Sequence, residues 1–329
     1  MSSDHQWHVE RSKQILQDHP EIKQYFGPYP LSMIPIVCLI ILHWSIAWMV
    51  KDLSWWMIGA ISLLIGQFVL HSLSTFIHEV AHGLILKGKW GNAFSLVLIE
   101  LGVLSLGKSL TYVGRHGKSH HRCLNNYSKD YEWWDRQQSQ FRTSKPHLRL
   151  AEGLIHLLPG GVVMTDLIID ALCPAASRPI ETSHKPAALN FLLMAESILL
   201  YAAAWYFISW QASLYLFWSL TLGVSYWGVT FKGQSIAEHN IYQTCKTYST
   251  YQWTNILFFN TGYHDEHHTF ANASWIHLPK IKKIAPEYFT NDNPYSYFHL
   301  WWRWAKSIFD PARFNRYTPE IITEKLNTE

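Results

Sequence analysis

The sequence predicts an all-α integral membrane protein with four transmembrane helices in two hairpins and a cytosolic helical cap that carries three histidine clusters. Three observations predict this fold class. Four apolar segments are each about as long as a bilayer core requires. Basic residues gather in the polar regions between them, and the histidine clusters lie in those same regions. Aromatic residues make up 15% of the 329-residue chain, with 17 Trp, as expected for interfacial aromatic belts.

Residues 1–30 are predicted to form a polar cytosolic segment without a cleavable signal peptide, followed by a single membrane domain over residues 31–329. The net charge of +3 is too small to indicate a nucleic-acid binder. No CxxC spacing occurs among the four cysteines, which are therefore predicted to be reduced thiols: Cys38, Cys123, Cys173 and Cys245.

The predicted spans are residues 31–50, 55–77, 187–209 and 211–230. A "KDLS" sequence separates the first two spans and about one residue separates the last two, so each pair is predicted to form a tight hairpin. Among these spans the third contains the one acid, Glu196, and we expect this side chain to face the protein interior because a charge in lipid is costly.

Two other apolar stretches, residues 93–107 and 151–173, are predicted to be interfacial or re-entrant. The first is short and contains Glu100. The second is interrupted by "PGG" and contains Asp166 and Asp170.

Basic residues predict the orientation. Of 27 Lys and Arg, Lys51 alone falls in a hairpin loop, and the others lie before the first span, between residues 78 and 186, or after residue 230. By the positive-inside rule these regions share the cytosolic side, so both termini are cytosolic and residues 78–186 and 231–329 form the cap.

Three histidine clusters follow the spans on that predicted side: "HEVAH" at 78–82, "HGKSHH" at 116–121 and "HDEHH" at 264–268. Residues at i, i+3 and i+4 share one helix face, so each cluster can direct two or three imidazoles to one point. Eight imidazoles exceed the needs of one zinc ion but suit two metals with open positions, and such sites favour iron that binds O₂. A further candidate, His239 in "SIAEHN", is either an interfacial histidine or a ligand.

Taken alone, "HEVAH" is also the HExxH signature of a zinc protease. A protease site requires a third ligand and leaves the other clusters unexplained, and the chain lacks the Asp-Gly dipeptide of intramembrane zinc proteases. The protease interpretation is therefore a remote alternative.

The clusters and their order resemble the membrane fatty-acid desaturase and hydroxylase superfamily. Other stretches resemble its sphingolipid Δ4-desaturase branch, over nearly the whole chain: "ERSKQILQDHPEIK", "VKDLSWW", "HSLSTFIHEVAH", "SIAEHN", "TYSTYQWTNILFFNTGYHDEHHTF" and "KIAPEYF". The chain differs from the branch at Val229 and Gln234, where histidines are usual, and after the second and third clusters, so the exact lipid stays open.

The resemblance implies that a di-iron centre is bound by nine histidines: His78, His82, His116, His120, His121, His239, His264, His267 and His268. It implies an O₂-dependent lipid desaturase that introduces a trans double bond into the sphingoid chain of a dihydroceramide-like lipid. The alternatives are a fatty-acyl desaturase, a C4-hydroxylase on the same site, and a non-catalytic lipid- or metal-binding protein.

Electrons must come from a separate cytochrome b5-like or ferredoxin-like donor, since the chain has no flavin or haem motif. The resemblance also implies a multi-pass protein of the endoplasmic reticulum in a eukaryote or of the inner membrane in a bacterium. The oligomeric state cannot be predicted.

Overall fold

The computed structural model describes residues 3–124, 129–130, 146–172, 188–239 and 247–306. Within these ranges the protein is helical, apart from connecting loops and two isolated β-bridges. The helices, in chain order, are α1 Ser3–Asp18, α2 Met33–Met49, α3 Trp55–Ala81, α4 Gly88–Val103, α5 Lys108–Arg115, α6 Pro146–Ile155, α7 Gly161–Leu172, α8 Ala188–Ile208, α9 Trp210–Gly223, α10 Val229–Glu238, α11 His264–Thr269, α12 Leu278–Ile284 and α13 Tyr297–Lys306. The all-helical fold class is confirmed.

The chain divides into two compact units. The histidine unit comprises Met1–Phe26, Arg115–Gly153 and Val229–Glu329, and the span unit comprises Gly27–Gly114 and Leu154–Gly228. This division does not test the predicted single membrane domain over residues 31–329, which stays a prediction.

Three helical segments of the described residues are long and apolar enough to cross a bilayer: Pro30–Met49, Trp55–Ala81 and Ala188–Ile208. They correspond to the first three predicted spans. At 27 residues, α3 is about 40 Å long, more than the hydrocarbon core requires. Its last turn carries His78 beyond the apolar run.

The predicted fourth span, residues 211–230, is not one continuous helix. Helix α9 ends at Gly223 after 14 residues, and a turn separates it from α10. In this turn the Ser225 hydroxyl donates to the Leu222 carbonyl and accepts from the Trp227 N–H, so a side chain replaces the helical hydrogen-bond pattern. The count of four spans is therefore not confirmed.

Tight connections occur where the sequence predicts them. Ser209, in an extended conformation, joins α8 to α9, and its hydroxyl accepts from the Ala212 N–H at 3.2 Å. At "PGG" the chain breaks between α6 and α7, and Gly160 there has φ +72°.

Helix α4 buries a carboxylate in the span unit. Glu100 is fully buried, and its oxygens accept hydrogen bonds from the hydroxyls of Ser105, Ser109 and Ser197 at 2.8 to 3.0 Å. The Gly107 N–H donates a further bond at 3.4 Å. Several donors offset much of the cost of burying the acid. Glu196 of α8 likewise has both carboxylate oxygens buried, as predicted.

Each unit has its own apolar core. In the span unit, Leu216 and Trp218 of α9 pack with Ala47 and Ile58 of the first hairpin. In the histidine unit, Ile15 of α1 packs with residues that follow α11, including Phe270, Ile281 and Phe289. This second core places α1 beside the third histidine cluster.

The predicted thiols Cys38 and Cys123 are free, whereas Cys173 and Cys245 lie outside the described residues, as does the Asp170 side chain.

Candidate metal centre

The third cluster forms the short helix α11, whose six residues are all buried. His264, His267 and His268 occupy positions i, i+3 and i+4 and therefore project from one side of the helix. The second cluster forms a single turn of wide helix over His116–His120, followed directly by His121. Both clusters belong to the histidine unit, together with His239, which follows the last turn of α10.

Seven histidines of this unit converge in two groups. His116, His121 and His267 form the first group, in which the His121 Nε2 lies 3.0 Å from the His116 Nε2 and 3.2 Å from the His267 Nε2. Their potential ligand nitrogens all lie within 4.8 Å of one another.

The second group contains four buried histidines: His120, His239, His264 and His268. The Nε2 atoms of His120 and His268 are 3.2 Å apart, and those of His239 and His264 are 2.8 Å apart. The two groups adjoin, because the rings of His121 and His268 stack with centroids 4.2 Å apart. This arrangement matches two neighbouring metal positions.

The spacing and the charge state of these rings both fit a transition metal. Two nitrogens bound at right angles to one metal at about 2.1 Å lie about 3.0 Å apart, close to the observed separations. Burial lowers the pKa of His268 well below its usual value, and the neighbouring histidines lower it further. A neutral imidazole is the form that binds a metal.

Two buried carboxylates lie next to the Nδ1 atoms of two ligand candidates and orient their rings. Asp130 Oδ1 lies 3.0 Å from His120 Nδ1, and both side chains are inaccessible to solvent. Glu238 Oε2 lies 3.5 Å from His264 Nδ1. A carboxylate on one ring nitrogen fixes the other as the metal-facing donor. Sequence reasoning missed both residues. Glu238 adjoins His239, which is a weak signal, whereas no motif points to Asp130.

The first cluster belongs to the span unit. His78 lies in the last turn of α3 and His82 directly follows it, with ring centroids 5.0 Å apart. The intervening Glu79 is buried, with 2% of its surface exposed. The pair thus has the geometry of a two-imidazole ligand set, and the role of these two residues stays a prediction.

Three histidines outside the predicted set lie in other surroundings. His43 contacts the Tyr215 hydroxyl at 3.1 Å, His156 contacts Thr165 at 2.7 Å, and His147 is exposed. None of these three belongs to either histidine group.

Comparison with known proteins agrees with this geometry. The sequence model of the fatty acid desaturase family matches residues 54–301, and that of the sphingolipid Delta4-desaturase family matches residues 2–31. A sphingolipid delta(4)-desaturase DES1 from Homo sapiens is 30% identical over 92% of this chain and 87% of its own length. A DES1-like protein from Oryza sativa is 28% identical over 92% of this chain and 85% of its own length. No solved structure matches the chain.

Proposed function

The chain belongs to the fatty acid desaturase family, in its sphingolipid Delta4-desaturase branch, and is therefore an oxidoreductase; on that premise we propose that it introduces a trans double bond into the sphingoid chain of a dihydroceramide-like lipid. The observation that carries this proposal is the convergence of seven buried histidines in two adjoining groups. The family membership removes support for the protease interpretation of "HEVAH".

We propose that all nine predicted histidines, His78 and His82 included, bind two iron ions. Imidazole-rich sites with open positions favour iron that reacts with O₂, and bound iron would supply the oxidant that an unactivated C–H bond requires. The chain's own residues hold and orient the ligands: Asp130 fixes the ring of His120, and Glu238 that of His264. Burial of the second group keeps bulk water from it.

The reaction has a defined electron balance. One –CH₂–CH₂– unit, one O₂, two electrons and two protons give –CH=CH– and two waters. Two of the four electrons that reduce O₂ come from the lipid and two come from outside. We therefore propose a separate cytochrome b5-like or ferredoxin-like donor, supported by the absence of flavin and haem motifs from the sequence.

We propose four membrane crossings, with α9 as the fourth, in the endoplasmic reticulum of a eukaryote or the inner membrane of a bacterium. Within the histidine unit, His120 and His268 are 3.2 Å apart, so an even number of crossings separates them. Among the described residues between them, one helix is long and apolar enough to span a bilayer, Ala188–Ile208. Helix α9 extends about 21 Å over its 14 residues, and the following turn would cover the rest of the bilayer core.

The contact between His5 and His121 supports the same topology. The His5 Nδ1–H donates to the His121 carbonyl at 2.8 Å, and the first two candidate spans lie between these two residues in the sequence. The excess of basic residues in these regions supports a cytosolic location for them, by the positive-inside rule. Protease digestion of sealed vesicles tests the count: a tag after Glu329 is digested from the cytosolic side with four crossings and protected with three.

Lipid mass spectrometry tests the activity. We expect a desaturase-null host that expresses this chain to accumulate Δ4-unsaturated sphingolipid, and His267→Ala to abolish that product because one ligand is lost. The matched control is His147→Ala, an exposed histidine outside both groups, which should retain wild-type product. Mainly 4-hydroxylated product would assign hydroxylation instead, and full activity of His267→Ala would refute the metal site.

A further inference from the structure

The first helix of the chain packs a polar face against the third histidine cluster. His8, Arg11 and Ile15 share one face of α1, and all three are buried, whereas Glu10 and Lys13 on the other face are exposed. An apolar side chain would suit such a face if packing alone were needed. Burying Arg11 is costly unless its charge is paired.

Arg11 is paired with the helix that carries the ligand candidates. Its guanidinium donates two parallel hydrogen bonds to Asp265, from Nη1 to Oδ1 and from Nη2 to Oδ2, both at 2.8 Å. It also donates to the Tyr288 carbonyl, and it lies 4.6 Å from the Trp7 ring centroid and 4.7 Å from that of Phe289. A planar fork in this position fixes the direction of the carboxylate as well as its charge.

Asp265 is also bound from a second direction, because the Thr247 hydroxyl donates to its Oδ1 at 2.8 Å. The adjacent acid, Glu266, accepts from the hydroxyls of Ser249 and Tyr251, both at 2.6 Å. Helix α11 has only six residues, too few for its own backbone hydrogen bonds to hold it rigidly. Its rotation, and with it the direction of the three histidines, is therefore set by these external contacts.

Helix α1 also reaches the ligand candidates themselves. The His8 Nδ1 lies 3.1 Å from the Thr269 hydroxyl at the end of α11, and the His8 ring centroid is 5.5 Å from that of His268. The His5 Nδ1–H donates to the carbonyl of His121 at 2.8 Å. One helix thus contacts both the second and the third cluster.

We propose that α1 is a positioning element of the metal centre, in which Arg11 holds Asp265 so that His264, His267 and His268 converge on bound metal. This inference rests on the proposed function only in requiring that the centre binds a metal. Within the sphingolipid Delta4-desaturase match to residues 2–31, it gives the N-terminal segment a role in building the site.

Metal binding by the purified full-length chain tests this role, with Co²⁺ as the probe and its visible absorption as the readout. We expect Arg11→Ala to weaken Co²⁺ binding by up to about 10-fold, the lower end of the effect of removing a direct partner of a metal ligand, because Arg11 acts through Asp265. Arg11→Lys should fall between Arg11→Ala and wild type, because an ammonium keeps the charge but lacks the fork. Lys13→Ala removes an exposed ion pair on the same helix and should bind Co²⁺ as wild type does.

A stability-matched control separates positioning from general destabilisation. Ile281→Ala removes a fully buried side chain from the same core and lowers the melting temperature without touching Asp265. The proposal predicts that Ile281→Ala keeps wild-type Co²⁺ affinity. Wild-type Co²⁺ affinity of Arg11→Ala would overturn it, and so would an equal loss of affinity in Arg11→Ala and Ile281→Ala at equal melting temperatures.

If Arg11→Ala does not fold, Arg11→Lys provides the decision. It keeps a positive charge beside Asp265 and loses the two parallel hydrogen bonds, so a several-fold loss of Co²⁺ affinity supports the proposal and an unchanged affinity overturns it. Failure of the proposed function is distinguishable: Co²⁺ binding would then depend on Arg11 although the wild-type chain forms no desaturated lipid.

Discussion

Helix α3 packs closely against α9 at Gly66, within the span unit. A Cβ atom at this position would lie 2.1 Å from the Ser219 Oγ, 2.8 Å from the Ser219 Cβ and 3.1 Å from the Tyr215 Cε2. All three atoms belong to α9, so Gly66→Ala would force α9 away from α3. Overpacking of this kind costs about 1–3 kcal/mol.

The alanine has an opposing helical benefit of about 1 kcal/mol over glycine, so we expect Gly66→Ala to change stability by between about 0 and 2 kcal/mol, in the destabilising direction. Gly114→Ala is the matched control, because a Cβ there meets no atom within 4 Å. The difference between the two variants therefore isolates the overpacking cost. Reversible unfolding by sodium dodecyl sulfate in mixed micelles measures both.

Ser219→Gly in the Gly66→Ala background removes the two closest atoms, and we expect it to recover most of the loss. A double-mutant cycle gives the coupling between the two positions. The packing argument is refuted if Gly66→Ala is as stable as Gly114→Ala, or if Ser219→Gly adds its own cost without recovery.

Two further predictions concern the histidine unit. Asp130→Ala should weaken metal binding about 10–100-fold, because the Nδ1 of His120 loses its buried partner. Asp130→Asn should weaken metal binding less, because an amide oxygen can still accept a hydrogen bond from that nitrogen. Co²⁺ titration measures both affinities, and equal losses would contradict the orienting role of Asp130. The pair His19–Glu287, with nitrogen and oxygen 2.6 Å apart, should stabilise the protein in a window of pH. The Glu287 side chain raises the pKa of His19 above 6.5, so this contribution is complete below pH 6.5 and lost as pH rises through the raised pKa. A backbone hydrogen bond, and then His19, lower the pKa of Glu287 below 4.5, so its contribution is present above pH 4.5 and lost as pH falls through the lowered pKa. His19→Ala should therefore lower the melting temperature at pH 5.5 more than at pH 8.5, and an effect independent of pH would exclude the ion pair.

Sequence hydropathy was sufficient to predict the first three spans, because a run of about twenty apolar residues rarely forms anything other than a membrane helix. It was insufficient for the fourth. Residues 211–230 carry no charged side chain, and hydropathy does not detect that the Ser225 hydroxyl replaces helical hydrogen bonds after Gly223. The break at "PGG" was predictable because proline and glycine act through their own backbone restrictions.

The sequence by itself determined three helices long and apolar enough to cross a bilayer and the identities of the seven histidines that converge in one unit, since both depend on local composition and on spacing along one helix face. Only the tertiary structure decided how the seven histidines of one unit divide into two groups, and that Asp130 and Glu238 lie behind two of them. It also decided that Arg11, 254 positions before Asp265, holds the third cluster. Such pairings join residues far apart in the chain, and a single acid or arginine carries no local pattern that names its partner.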